Sequence, residues 1–162
     1  MASSFYWYDL ETSGTDPKWD RLVQVAGLRT DAELNVIGDE LCTYVRLGDD
    51  VLPNPDACLV TGILPETLQR EGIPEVQAWE EILRQFTVPE TCVVGYNSLR
   101  FDDEFVRYGL YRHLFDPYSR EWQNGCSRWD ILDLVRAAGG LRRDSIELSL
   151  IHISEPTRPG HI

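Results

Sequence analysis

Bulky side chains crowd the start of the chain and run straight into acids. Phe5-Tyr6-Trp7-Tyr8 leads into Asp9-Leu10-Glu11-Thr12. Strand alternation puts Asp9 and Glu11 on one side and Leu10 on the other. The segment 21–29 (RLVQVAGLR) is rich in β-branched residues and predicts a second strand. Residues 34–38 and 41–47 predict a third, so the chain opens as an antiparallel β-β-β meander. After turn chemistry at Pro53-Asn54-Pro55, Asp56 is placed to cap a short helix through Leu59. Pro65 opens a brief helical turn ending at Glu71. In residues 74–86, Val76, Trp79, Ile82, Leu83 and Phe86 recur at helical spacing, with acids early and Arg84 late. Cys92-Val93-Val94-Gly95 predicts a fully buried central strand. A helix then runs from Phe105 through Leu114 to a stop at Pro117. A polar loop follows at 122–127, and a last helix at 129–138, stopped by Gly139-Gly140. The expected order is β-β-β-α-β-α-α, with Trp7, Trp79 and Trp129 in the core.

Two acids at i and i+2 on a strand end are costly unless a positive charge sits between them. A divalent cation with oxygen ligands is one answer. The other is ordinary: Glu11 starts a loop and Asp9 caps a helix. Composition narrows the choice only a little. The 162 residues suit one domain with a real core, and the apolar and charged fractions are those of a soluble globular chain. No apolar run approaches a membrane span, and Met1-Ala2-Ser3-Ser4 lacks the features of a secretory signal, so the expected location is cytoplasmic, away from membranes. Cys42, Cys58, Cys92 and Cys126 are scattered without zinc spacing and read as buried thiols in a reducing compartment. The net charge of −12 argues against broad electrostatic binding to a polyanion but leaves room for a local groove.

A second acidic cluster, Asp102-Asp103-Glu104, follows the buried strand. Asp102 is expected at a helix start directly after that strand, where the helix dipole favours acids and where α/β sheets place their sites. A simple helix-terminal charge is the alternative. Phe101, apolar beside three acids, gives Asp102 a fixed angle, whereas Asp103 and Glu104 read as solvated. Asp130 either supports the site or caps the last helix, and His113 sits at the edge of core packing.

Asp9-x-Glu11, followed by Gly95-x-Asn97-x-x-x-Phe101-Asp102, resembles the first two motifs of the DEDD exonucleases, which share a ribonuclease H-like fold. Residues 5–145 more closely resemble the bacterial exodeoxyribonuclease I family. The match includes Asp9-Leu10-Glu11-Thr12-x-Gly14-Thr15, Thr61-Gly62-Ile63, Phe86-Thr87-Val88-Pro89, Arg100-Phe101-Asp102-Asp103-Glu104 and Ser127-Arg128-Trp129-Asp130. The last of these and the 86–89 match argue against a proofreading or short-RNA exonuclease. The resemblance implies an α/β fold, a ribonuclease H-like mixed sheet flanked by helices. It implies 3′→5′ release of 5′-mononucleotides from single-stranded DNA 3′ ends by a monomer. It also implies two Mg²⁺ ions, with Mn²⁺ as a substitute. Such ions lie roughly 4 Å apart and activate water while stabilising the leaving oxygen. On this resemblance Asp9 holds both ions, Glu11 ligates one and approaches the terminal nucleotide, and Asp102 holds the second. Arg107, Tyr118, Trp122 and Arg136 are candidate strand contacts through stacking and phosphate pairing. Single-strand DNA-binding protein is a candidate partner through domains outside this chain.

The family's third motif is a His followed five residues later by an Asp. Five residues beyond His113 is Tyr118, five beyond His152 is Thr157, and His161 is too near the end. Leu148 to Arg158 resembles the translated end of a transposon-based sequencing adapter. The expectation is therefore a partial exonuclease domain at 1–147, truncated before its last helix and motif, with a non-native tail at 148–162. Three of four site carboxylates are present and the histidine is not. A non-catalytic single-strand-binding remnant of the same fold is the alternative.

Overall fold

Period-two burial along the first strand sets the layout. In the computed structural model, which describes residues 2–139, β1 (Ser4–Thr12) buries Tyr6, Tyr8 and Leu10 on one face. Its other face carries Phe5, Trp7 and Glu11 half-buried and Asp9 exposed. β2 (Leu22–Asp31) pairs antiparallel with β1, and β3 (Leu41–Arg46) antiparallel with β2. The expected strand segment at 34–38 contributes only an isolated bridge, Val36 to Thr30.

Short helices α1 (Pro55–Thr61) and α2 (Pro65–Glu71) follow, and a two-residue β4 (Ile73–Pro74) pairs parallel with β3. Asn54, not Asp56, caps α1, its side chain accepting from the Asp56 amide. Asn54 precedes Pro55, which takes the first helical position and leaves the cap to the residue before it.

α3 (Glu75–Phe86) leads to β5 (Thr91–Gly95), all five residues of which are buried. α4 (Asp102–Arg112), β6 (Ser127–Asp130) and α5 (Ile131–Gly139) complete the described chain. The sheet order is β4-β3-β2-β1-β5-β6, with β5 parallel to both β1 and β6. The mixed sheet flanked by helices is as expected.

α3 and α4 cover the Tyr6–Tyr8–Leu10 face. Trp79, Ile82 and Phe86 of α3 and Phe105, Val106 and Leu110 of α4 close one core with Val25, Val45 and Val93. Val76, expected on the apolar stripe, is instead exposed. The two helices approach most closely where Gly109 faces Trp79, since a Cβ on Gly109 would overlap the indole. Gly109→Ala is therefore expected to lower stability by about 1–3 kcal/mol through overpacking, read as a lower urea midpoint at unchanged m-value.

Four expectations are corrected. α4 stops at Arg112, well before Pro117. Leu114 turns left-handed (φ 64°), its amide donates to Tyr111 O, and the Phe115 amide donates to Leu110 O. This double closure ends the helix and returns Phe115 to the core. Residues 127–130 form a strand, and the last helix begins after it. Trp129 lies on that strand and is exposed, while Trp7 is half-buried; only Trp79 of the three is core. Cys42 is exposed and Cys58 half-buried, whereas Cys92 and Cys126 are buried; all four thiols are free. Among the described residues no helix is long and apolar enough to cross a membrane. Residues 148–162, with His152 and His161, lie outside the described residues.

Candidate active site

β1 and β5 part company before β1 ends. Their pairing runs from Ser4–Thr91 to Trp7–Val94, after which Gly95 pairs only towards β6, with Asp130. Beyond Trp7, the β1 amides on that side lack a strand partner. The Leu10 amide is satisfied instead by Asp102 Oδ1 at 3.2 Å. A register irregularity between Glu11 and Thr12 bends the strand at the same place, as bulges do beside sites.

Asp102 opens α4 but does not follow β5 directly. The chain crosses Asn97, left-handed at φ 54°, then a single 3₁₀ turn at Ser98–Arg100, then Phe101. Phe101 packs against the core directly before the helix start. Asp102 is buried at 6 % exposure.

The three carboxylates feel one another. Burial first, and the Asp9 charge second, push Asp102 up to about 7, against the opposing pull of its own amide and that of Leu10. Glu11 is raised by burial and by Asp9, and Asp9 by burial, eased by the Leu10 amide. Asp9 is open to water on one side yet stands beside Trp7, Leu28 and Leu41 in a trough of about 430 Å³. A set of acids that all favour protonation lacks positive charge.

The nearby guanidinium groups serve another acid. Asp103 is buried at 2 % exposure, not solvated as expected. It pairs with Arg120 at 2.7 Å, with Arg107 at 3.4 Å and with Arg128. Glu121 joins the same knot through Arg107 and Arg128, each at 3.0 Å. Desolvation lowers the pKa of Arg120, and Asp103 is its nearest acid, with Glu121 at 3.7 Å.

A cavity of about 420 Å³ opens beside Glu11. Thr12, Gly14, Asn54, Asp56, Thr61 and Phe101 are among its walls. Phe101, the residue before Asp102, lines the cavity together with Glu11. Its threonines, Asn54 and backbone offer polar contacts; Phe101 and Val60 offer apolar ones.

The structure thus brings Asp9, Glu11 and Asp102 together at the parted end of β1 and β5. The four other candidates lie along a different stretch. Arg107 and Tyr118 line a separate cavity of about 250 Å³ with Glu104, Tyr108, Tyr111 and Pro117. Arg107 is held by Glu104, Asp103 and Glu121 and lies 5.9 Å from the Tyr118 ring centre. Tyr118 and Trp122 are exposed, and Arg136 on α5 pairs with Asp133 at 3.6 Å.

Among the described residues, no three acidic, His or Cys side chains close on one point as a metal cage would. The set is open. Open oxygen-only sets suit Mg²⁺, which keeps several waters and commonly takes only one or two carboxylates with the rest from substrate phosphates.

Sequence reasoning left two roles open or unseen. Asp130 caps α5 through the Leu132 amide and also accepts from the Asn97 and Leu99 amides. Besides Arg107 four residues on, the partners of Asp103 lie 17 and 25 residues away in sequence, with no local pattern to reveal them.

The exonuclease family model (RNase_T) matches residues 6–153. The Haemophilus influenzae exodeoxyribonuclease I is 48% identical over 143 residues, covering 88% of this chain and 30% of that protein. A solved exonuclease I from Methylocaldum szegediense is 55% identical with a TM-score of 0.82, covering 86% of this chain and 30% of that one. The zinc-bound form of an E. coli ExoI–ssDNA complex is 47% identical with a TM-score of 0.83, over 88% of this chain and 30% of that one. The chain thus spans about 30–40% of the length of the exodeoxyribonuclease I relatives it matches. With the family model matching along almost the whole described sheet and its acids, the chain belongs to the exonuclease family.

Proposed function

We propose that this chain carries part of the nuclease domain of a 3′→5′ exonuclease that releases 5′-mononucleotides from single-stranded DNA. The observation that carries the proposal is the meeting of Asp9, Glu11 and Asp102 where β1 leaves β5, beside a cavity lined by Glu11 and Phe101. Mg²⁺, with Mn²⁺ as a substitute, fits an oxygen-only donor set whose members all resist ionisation without a cation. Asp9, Glu11 and Asp102 would hold it. When bound, the metal supplies Lewis-acid charge and an activated water. The zinc-bound form of a relative's DNA complex supports a divalent ion as the cofactor.

The protein's own residues do the rest. Glu11, on the cavity wall, faces the terminal nucleotide. Tyr118 and Trp122 offer exposed faces to bases further along the strand. Arg107 and Arg136 meet phosphates, Arg107 from a position preset by its three acids. These few groups suit a chain of net charge −12, whose field as a whole repels DNA. An ExoI/SSB-Ct complex among the solved relatives, 47% identical, supports single-strand DNA-binding protein as a partner of the whole protein.

The residues present do not complete the reaction. None of the histidines is followed five residues later by an aspartate. The general base that takes the proton from water, and the fourth carboxylate, are missing, and a base of this kind typically contributes about 10²–10⁴-fold. The purified chain with Mg²⁺ and a 3′-tailed single strand is therefore expected to release almost no mononucleotide. Robust release would refute this part of the proposal. Binding of the labelled strand without cleavage would favour the second reading, a single-strand-binding remnant, which rests on the same missing motif.

A further inference from the structure

We propose that Asp130 is a positioning residue for Asp102, acting through the connector 96–101. The proposal rests on the reading of Asp102 as a metal ligand.

Asp130 ends β6 and lies in register with Gly95, the last residue of β5. Its side chain is buried at 3 % exposure. Oδ1 accepts from the Leu132 amide at 2.9 Å, which is the helix cap, and from the Asn97 amide at 2.9 Å. Oδ2 accepts from the Leu99 amide at 3.2 Å. A cap needs one oxygen and one amide of the first turn. The two other bonds go to the segment that delivers Asp102.

That segment is weakly held by itself. Its internal bonds are long, Arg100 N to Asn97 O at 3.4 Å and Phe101 N to Ser98 O at 3.3 Å. Asn97 is left-handed, a conformation that persists when its surroundings hold it. Arg100 adds an exposed pair with Asp133. Among the described residues, Asp130 alone has side-chain bonds to two of the connector's amides. Three residues beyond Leu99, Asp102 must place its carboxylate on the Leu10 amide, and misplacement by about 1 Å is enough to matter at a site. The Asp103 knot fixes the other side of Asp102, so the metal-facing carboxylate sits between two anchors.

The test uses the whole 162-residue chain and Mn²⁺ as the probe, titrated by electron paramagnetic resonance of the free ion, with circular dichroism melts in parallel. Asp130→Ser keeps a capping hydroxyl for Leu132 but is too short to hold Asn97 and Leu99. It is expected to weaken Mn²⁺ binding about tenfold or more, as loss of groups that orient ligands does, while its melting temperature stays near that of the parent. Asp102→Asn is the control and should remove binding. Parent-like affinity in Asp130→Ser, with Asp102→Asn defective, would overturn the positioning role and leave a cap. Parent-like affinity in Asp102→Asn, or no Mn²⁺ binding by the parent, would overturn the metal reading and the proposal with it. Should Asp130→Ser not fold, Asp130→Asn, which keeps one acceptor oxygen, is held to the same outcomes.

Discussion

Asp102→Asn should raise the melting temperature of the metal-free chain at pH 8 and abolish its response to Mg²⁺. The sign follows from the direction of the shift. Asp102 is raised from its ordinary value to about 7 in the fold, so the folded state holds that proton more tightly than the unfolded chain does. Its contribution is most favourable below about pH 4, is lost progressively as pH rises, and is fully unfavourable above about pH 7. Asp9 and Glu11 shift in the same direction. At pH 8 the ionised Asp102 destabilises the empty site by roughly 2–4 kcal/mol, an order-of-magnitude figure for a buried group among like charges. Asparagine keeps an oxygen for the Leu10 amide and removes the charge. A gain of about 2 kcal/mol corresponds to roughly 4–8 °C for a chain of this size. Mg²⁺ should stabilise the parent at pH 8, as any ligand of the native state does, and far less at pH 5, where protons compete for the carboxylates. Calorimetry at both pH values, with and without Mg²⁺, checks all four corners. A lower melting temperature for Asp102→Asn at pH 8 without metal would mean that the carboxylate stabilises the empty fold.

The second large effect belongs to Asp103. Asp103→Ala leaves Arg120, almost wholly buried, without its shortest partner, and Arg107 and Arg128 with only Glu104 and Glu121 between them. Removing one member of a buried ion pair typically costs about 3–5 kcal/mol, and that loss is expected here in urea unfolding. Replacing both Asp103 and Arg120 by leucine should recover much of it, because no uncompensated buried charge then remains. The exposed Arg70–Glu71 pair is the contrast, where truncation should change little. Equal effects at the two sites would contradict the account of the knot.

What the sequence disclosed follows from where its information is local. Asp9 and Glu11 share a face because side chains alternate along a strand, and the aromatic run made that strand plain. The stripe through Trp79, Ile82 and Phe86 was equally local. β6 was missed because four residues, Ser127 to Asp130, carry no apolar run and present one exposed tryptophan. A strand of that kind is recruited by β5 rather than announced by its own composition. Asp103 looked solvated because a run of acids at a helix start usually is. Its burial depends on Arg120 and Arg128, brought in by a loop and a distant strand. Arg107 shows the same limit. Its nearness to the acids at 102–104 is local, but the placing of its guanidinium among Asp103, Glu104 and Glu121 depends in part on a residue 14 positions on. The missing third motif, by contrast, is a matter of residue identity and was visible at once.

The bond from the Leu10 amide to Asp102 joins residues 92 apart in the chain. Between them lie β2, β3, β4 and three helices, a stretch that must be closed for β5 to lie parallel to β1. Closing so long a stretch is entropically slow. Neither half of the acidic set can therefore form a cation site early, as a contiguous loop of ligands could. Time-resolved refolding should reveal Mn²⁺ capture developing with the last phase of native structure, which makes the ion a reporter of completed topology.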